Sequence, residues 1–364
     1  MKETFKQAWL MGKGGPWIIK DVPMKHPGPG EVLIKMTKSS ICNQTDLNTV
    51  RALHPPHDHQ ITKMLPHHFR IWDHRIPDAL SDDYPARPYP YEPYPTTMGH
   101  EGTGVIVELG PIRELGDTLF GGKNFKVGDR VSMMGTIGGF GEYVLSPVDE
   151  IVKVPDSLSD DEASLLEPVN LVNHIARLVT GMDDTVCILG QGALGLLATQ
   201  LARIYGAKTI IVSDPLPLKR EMARKFGADI VLDPTKVNVV HEIERITDGR
   251  GVNALFECAG EPSTIQKIPY IAGFRCKVAC IGACCHPVSL DWSYIHFKGM
   301  TVVSTSTAVL GDIPGALKKT MAMMGSHRLN LLPMITHRYK LEEIERAFED
   351  VASGQVIKGV FELD

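Results

Sequence analysis

Thr185-Val186-Cys187-Ile188-Leu189-Gly190-Gln191-Gly192-Ala193-Leu194-Gly195 is the stretch whose reading decides the fold of this chain. An apolar run, Val186 to Leu189, meets three glycines spaced G-x-G-x-x-G and passes into a segment where Leu194, Leu197, Ala198 and Leu201 recur at helical spacing. The pattern predicts strand, tight turn and helix. Gly190 permits the turn, Gly192 lets a pyrophosphate approach the backbone, and Gly195 lets the helix lie close to its strand. The helix opens at Ala193 and Leu194 with free N–H groups aimed at the phosphates. Thr209 to Ser213 reads as the next strand and ends in Asp214, about twenty residues past the glycines, where an acid binding the ribose 2′-hydroxyl is expected.

Outward from this unit, helices and strands alternate. Helices are predicted over Asp160 to Gly181, Leu194 to Tyr205, Leu218 to Phe226, Val239 to Thr247 and Pro262 to Ala272. Strands are predicted over Val186 to Leu189, Thr209 to Ser213, Ile230 to Leu232, Ala254 to Glu257 and Lys277 to Gly282. This alternation argues an α/β fold with a Rossmann-type, doubly wound parallel sheet. Before about Pro155 the signals are those of β structure: Glu31 to Met36, Gly104 to Leu109, Arg130 to Met133 and Phe140 to Leu145, separated by Pro-Gly and Gly-Asp punctuation. An irregular antiparallel barrel or sandwich is expected there. After Val303 come a helix (Ile313 to Met324), an amphipathic helix (Leu341 to Val351) and a closing strand (Ile357 to Leu363). The expected division is residues 1–165 as a catalytic domain, 166–303 as the dinucleotide domain, and 304–364 as a return to the first.

With 364 residues the chain is long enough for two cores. Its net charge of -5 provides no basic footprint, so neither nucleic acid nor an anionic membrane is an expected partner, and a small molecule is. Thr185 to Ala202 carries no charge, but its glycines and its glutamines, Gln191 and Gln200, fit a buried strand and helix better than a membrane span. Met1 to Lys13 lacks the apolar core of a secretory signal, and the expected location is cytoplasmic. Seven cysteines, none in a C-x-x-C pair, suggest neither a disulfide framework nor a zinc ribbon.

Residues 51–97 are different in kind, with six histidines, nine prolines and four tyrosines and little apolar periodicity. A segment of this length without regular structure is usually a lid, a binding loop or an interface arm. His57-Asp58-His59 and His67-His68 lack the i, i+4 spacing of a helical metal pair. A folded surface excursion is therefore favoured over a second metal site.

Three further pieces carry chemistry: Cys42-Asn43-Gln44-Thr45-Asp46-Leu47-Asn48, Gly99-His100-Glu101, and Glu167-Pro168. Together they offer thiolate, imidazole and carboxylate, a donor set suited to zinc with one position open. With these pieces, Val127-Gly128-Asp129-Arg130-Val131, Gly138-Gly139-Phe140-Gly141-Glu142-Tyr143, the glycine turn and Gly354-Gln355-Val356-Ile357-Lys358, the chain resembles the zinc-dependent medium-chain dehydrogenase/reductase superfamily nearly end to end. The resemblance implies a GroES-like catalytic domain and one catalytic zinc held by Cys42, His100 and either Glu101 or Glu167. It implies Asp46 as the group orienting the histidine, Thr45 as the hydroxyl that passes the substrate's proton outward, and Lys219 near the adenosine ribose of NAD; Lys358 is expected within reach of the pyrophosphate. Gly110 to Lys126 holds no cysteine, so no structural zinc is expected. Two departures stand out: one extra residue between Cys42 and the Thr45-Asp46 pair, and Asn48 where many relatives have a relay histidine.

NAD is expected over NADP, because Asp214 would repel a 2′-phosphate, although Arg220 lies nearby. The expected function is hydride transfer between NAD(H) and a secondary alcohol, polyol or sugar-like substrate. The alternatives are a carbonyl reductase of the same fold and, from another class, a binding protein that has lost turnover. A homodimer or homotetramer is expected, pairing along Met300 to Ser306 by analogy with relatives.

Overall fold

The fold is described from a computed structural model for residues 3–51, 94–111, 125–284, 288–304 and 313–363. Most of the His/Pro/Tyr-rich stretch, and the readings made on it, lie outside the described residues.

The first part of the chain supplies strands β1 (Thr4–Leu10), β2 (Trp17–Pro23) and β3 (Glu31–Ser40), a short helix α1 (Thr45–Val50), and strands β4 (Glu101–Leu109), β5 (Arg130–Met134), β6 (Tyr143–Pro147) and β7 (Ile151–Lys153). Helices α2 (Asp160–Ala163) and α3 (Leu166–Val179) lead into the second sheet. There β8 (Thr185–Leu189), α4 (Ala193–Ile204), β9 (Thr209–Ser213), α5 (Pro217–Lys225), β10 (Ile230–Leu232), α6 (Val239–Ile246) and β11 (Val252–Glu257) alternate. They are followed by α7 (Pro262–Ile265), α8 (Ile268–Ile271), β12 (Ala272–Cys280), α9 (Trp292–Phe297) and β13 (Thr301–Ser304). The chain closes through α10 (Ile313–Gly325), β14 (Ile335–Lys340), α11 (Ile344–Ala352) and β15 (Lys358–Glu362).

The second sheet is six-stranded and parallel, in the order β10-β9-β8-β11-β12-β13. The order reverses between β8 and β11, and the crevice beyond the strand ends at such a switch point is where a dinucleotide sits. The first sheet has seven strands, β14-β15-β3-β4-β5-β7 with β6 on β3. Its pairs are antiparallel except β14 with β15, which run parallel because α11 carries the chain across between them. β15 lies directly against β3, so the last described strand brings Lys358 beside the Ile41-Cys42 segment.

Prolines account for two differences from the predicted helices. The single helix predicted from Asp160 is two, α2 and α3, interrupted at Ser164 and Leu165. Pro168 has no N–H to give the Ser164 carbonyl, and the Ser40 hydroxyl lies 3.2 Å from that oxygen instead. The helix predicted from Pro262 is likewise two short pieces, with Pro269 opening the second turn. Sequence periodicity did not signal α9, whose start is capped by the Asp291 carboxylate accepting from Ser293 N at 3.1 Å.

The largest apolar core runs through both halves. Val186, Ile188, Leu197 and Leu201 of the parallel sheet and α4 pack with Val169, Val172 and Ile175 of α3 and Leu317 and Met321 of α10, and continue to Met134 and Val152 of the first sheet. The two halves therefore share a packed interior. No helix among the described residues is long and apolar enough to cross a membrane.

Candidate functional site

The glycine turn has the geometry its sequence predicts. Gly190 takes φ +89, and its N–H donates to Ser213 O at 2.8 Å, tying the β8 turn to the end of β9. A Cβ on Gly195 would come within 1.9 Å of Gly190 O, so only glycine allows α4 this close to the turn. A Cβ on Gly192 would meet nothing within 4 Å, which leaves the backbone before Ala193 and Leu194 open to a phosphate. Asp214, buried at the end of β9, accepts from Gln191 N at 2.7 Å and from Leu216 N at 2.8 Å. Its carboxylate is thus fixed beside the turn. Arg220 donates to the carbonyls of Asp214 and Pro215 and pairs with Asp233 at 2.8 Å. Lys219 lines the same cleft.

Across the cleft the metal-binding residue types converge. Among the described residues, the ligand atoms of Cys42, His100 and Glu101 lie within 4.8 Å of one another. β3 and β4 create this convergence: Ser40 is the register partner of Glu101, so Cys42 just beyond β3 comes beside His100 just before β4. The Asp46 carboxylate accepts from Cys42 N at 2.9 Å, and its other oxygen lies 3.4 Å from His100 Nδ1. That leaves the His100 Nε2 side toward Glu101 Oε1, 4.0 Å away. Burial disfavours a charged imidazole, yet Asp46 and then Cys42 carry the His100 pKa well above its ordinary value.

Glu101 uses its two oxygens differently. Oε2 accepts from the Ser40 hydroxyl and from the Lys358 ammonium, which also donates to Ile41 O at 2.9 Å. Burial would discharge Lys358, but Glu101 and then Cys42 raise its pKa. Oε1 is left for the trio. Lys358 was expected at the pyrophosphate; its hydrogen bonds instead hold it beneath Glu101, 2% exposed, because β15 threads between β14 and β3 rather than along the glycine turn. Glu167 in the first turn of α3 lies outside the trio, and its carboxyl is raised to about 7, first by burial and then by the charge of Glu101.

These donors fit zinc: one soft thiolate, an imidazole held through its far nitrogen, and carboxylates at hand. Trio and glycine turn line one cleft of about 960 Å³, together with Thr45, the first residue of α1, and with Glu167, Asp214 and Lys358. Asn48, buried on α1, offers an amide and cannot take up a proton as a histidine would.

Three participants escaped the sequence reading. Ser40 had no signal beyond its place in a strand. Gln44 was visible only as part of an insertion, and its amide donates to Ala259 O at 3.3 Å and Ala283 O at 3.0 Å across the cleft. Glu257, wholly buried at the end of β11, accepts from Ala259 N at 3.1 Å, Gly260 N at 3.0 Å and Thr264 Oγ1 at 2.7 Å.

Comparison with known proteins agrees with this arrangement. Residues 28–156 match the family described as alcohol dehydrogenase GroES-like domain, and residues 193–323 match that described as zinc-binding dehydrogenase. L-threonine 3-dehydrogenase of Pyrococcus horikoshii is 31% identical over 97% of this chain and 96% of its own length. The protein of the same name from Francisella tularensis is 28% identical, with 98% of both chains covered. Among solved structures, benzyl alcohol dehydrogenase from Acinetobacter calcoaceticus superposes with a TM-score of 0.80 at 20% identity, covering 100% of both chains. The 2R,3R-butanediol dehydrogenase from Bacillus subtilis gives 0.76 at 22% identity, covering 99% of this chain and 100% of its own. The chain belongs to the zinc-dependent medium-chain dehydrogenase/reductase superfamily and is an oxidoreductase of the alcohol dehydrogenase type.

Proposed function

We propose that this protein is a zinc-dependent, NAD-linked dehydrogenase that oxidises a secondary alcohol, polyol or sugar-like hydroxyl to the carbonyl. The observation that carries the reading is the meeting, in one cleft, of the Cys42, His100 and Glu101 trio with the glycine turn and Asp214. Cys42, His100 and a carboxylate would hold the metal, and Glu101 is the better candidate because Lys358 and Ser40 fix it with Oε1 facing His100. Glu167, whose carboxyl is raised to about 7 by burial and then by the charge of Glu101, is the second. When bound, zinc supplies Lewis acidity that eases loss of a hydroxyl proton, and NAD supplies the hydride acceptor.

The chain's own residues do the rest. Thr45, at the start of α1 on the cleft wall, takes the substrate's hydroxyl proton and passes it outward. Asp46 keeps His100 in one orientation through Nδ1. Asp214 favours NAD: its carboxylate repels a 2′-phosphate, and Arg220 is held by Asp233 and two carbonyls rather than reaching into the cleft. Two or four copies would assemble through the outer strand β13.

The test is a dehydrogenase screen of the zinc-quantified protein with NAD and with NADP. The panel holds secondary alcohols, vicinal diols, polyols, sugars and hydroxy amino acids such as L-threonine, and rates are read in both directions. Expected are one zinc per chain, NAD reduction with a secondary hydroxyl, and loss of at least a hundredfold in rate together with loss of zinc in Cys42→Ala. No NAD reduction across the panel by the zinc-loaded protein, or an active Cys42→Ala variant, overturns the reading.

A further inference from the structure

We infer that Asn43 and Gln44, the lengthened link between Cys42 and Thr45, form a latch that holds the cleft closed over the cofactor and couples its seating to the zinc loop. The inference rests on the cleft being the dinucleotide and metal site proposed above. The two side chains point opposite ways. Asn43 Nδ2 donates to Val356 O at 2.8 Å and Ile357 O at 3.1 Å, anchoring the loop to the segment that delivers Lys358. Gln44 Nε2 reaches across to Ala259 O and Ala283 O, which follow the ends of β11 and β12. One amide thus spans the opening between the metal trio and the parallel sheet.

The receiving surface is shaped for this amide. Gly260 takes φ +69, and a Cβ there would come within 2.4 Å of Gln44 Nε2 and 2.8 Å of Ala283 O. The Glu257 carboxylate fixes the turn by accepting the Ala259 and Gly260 N–H groups, which sets the direction of the Ala259 carbonyl. Gln44 therefore docks on a preformed acceptor pair. Each carbonyl has a second lone pair, so a donor on the cofactor can share it with the latch. The loop itself is stiff: Asp46 N donates to Cys42 O at 3.1 Å and Cys42 N to Asp46 at 2.9 Å, so movement at Gln44 is felt at Cys42 and Thr45. With the latch made, a dinucleotide on the glycine turn lies under a cover, and its escape requires both hydrogen bonds to break.

The experiment titrates NADH into the zinc-loaded full-length protein, followed by nucleotide fluorescence, for wild type, Gln44→Met and Gln44→Glu. Methionine keeps the length and removes the donors, whereas glutamate presents oxygens to two carbonyls. Without these two neutral hydrogen bonds the closed form that accepts NADH is less populated, which predicts NADH binding weaker by about tenfold in Gln44→Met, and at least as much in Gln44→Glu, with zinc content unchanged. NADH binding that is unchanged or tighter overturns the latch. Loss of zinc in parallel with binding also overturns it, since Gln44 would then only support the metal loop. A wild type that takes up neither zinc nor NADH would count against the proposed function instead.

Discussion

Glu257 shows how much one buried carboxylate can organise. It sits where β8, β11 and β12 end together, with Leu189 and Cys280 as register partners, and accepts from two backbone N–H groups and a threonine hydroxyl. Burial raises its pKa despite those donors. The folded protein therefore retains a proton that the unfolded chain has lost between the ordinary glutamate range and the raised value. Stability accordingly falls as pH climbs through that window. Glu257→Gln keeps an acceptor oxygen without the ionisation, and its melting temperature is expected to vary less with pH there than that of wild type. Parallel curves for the two proteins would show that Glu257 is not the titrating group. Cys258 beside it is also pushed up, well above the ordinary thiol range, by burial and by the Glu257 charge. This lining thiol stays protonated and poorly nucleophilic.

At the scale of elements, the strand-turn-helix unit of β8 and α4 bears the strictest demand. Gly195→Ala would drive a methyl group into Gly190 O, a backbone atom that cannot swing aside. The expected cost is about 1–3 kcal/mol of stability, with weaker NADH binding because α4 must withdraw from the turn. Thermal unfolding and a nucleotide titration measure both, and an unchanged pair would refute the close approach. This unit was legible in sequence because all its determinants are local: apolar spacing, three glycines and a terminal acid. The metal trio was legible for a related reason, since Cys42, His100 and Glu101 each sit in a short pattern flanking a strand. The split of the predicted helices at Pro168 and Pro269 was less so, because apolar periodicity continues through a proline that interrupts hydrogen bonding. The hydrogen-bonding roles of Ser40 and Gln44 were not legible. Their partners, Glu101, Ala259 and Ala283, are distant in sequence and meet them only when β3 pairs with β4 and the cleft closes.

On the scale of the whole molecule, the parallel sheet ends at β13, an outer strand. Phe274 on β12 and Trp292 and Phe297 on α9, the elements that precede it in the chain, are 77%, 71% and 78% exposed, and Val302 on the strand itself is 49% exposed. Exposed apolar side chains and a strand with no second neighbour among the described residues are what a second copy would cover. Val302→Glu together with Phe297→Asp is expected to shift the protein to monomer in sedimentation velocity, with zinc content retained. An unchanged mass would place any interface elsewhere. The pairing of Lys358 with Glu101 has a different consequence, one of timing. The two residues are 257 positions apart, and β15, which carries the lysine, completes the sheet between β14 and β3. During synthesis Cys42, His100 and Glu101 emerge early, but the positive charge that balances Glu101 arrives only after the whole parallel sheet has been made. The nucleotide-binding half can fold while the ribosome is still at work, whereas the metal pocket acquires its counter-charge only when β15 has been inserted.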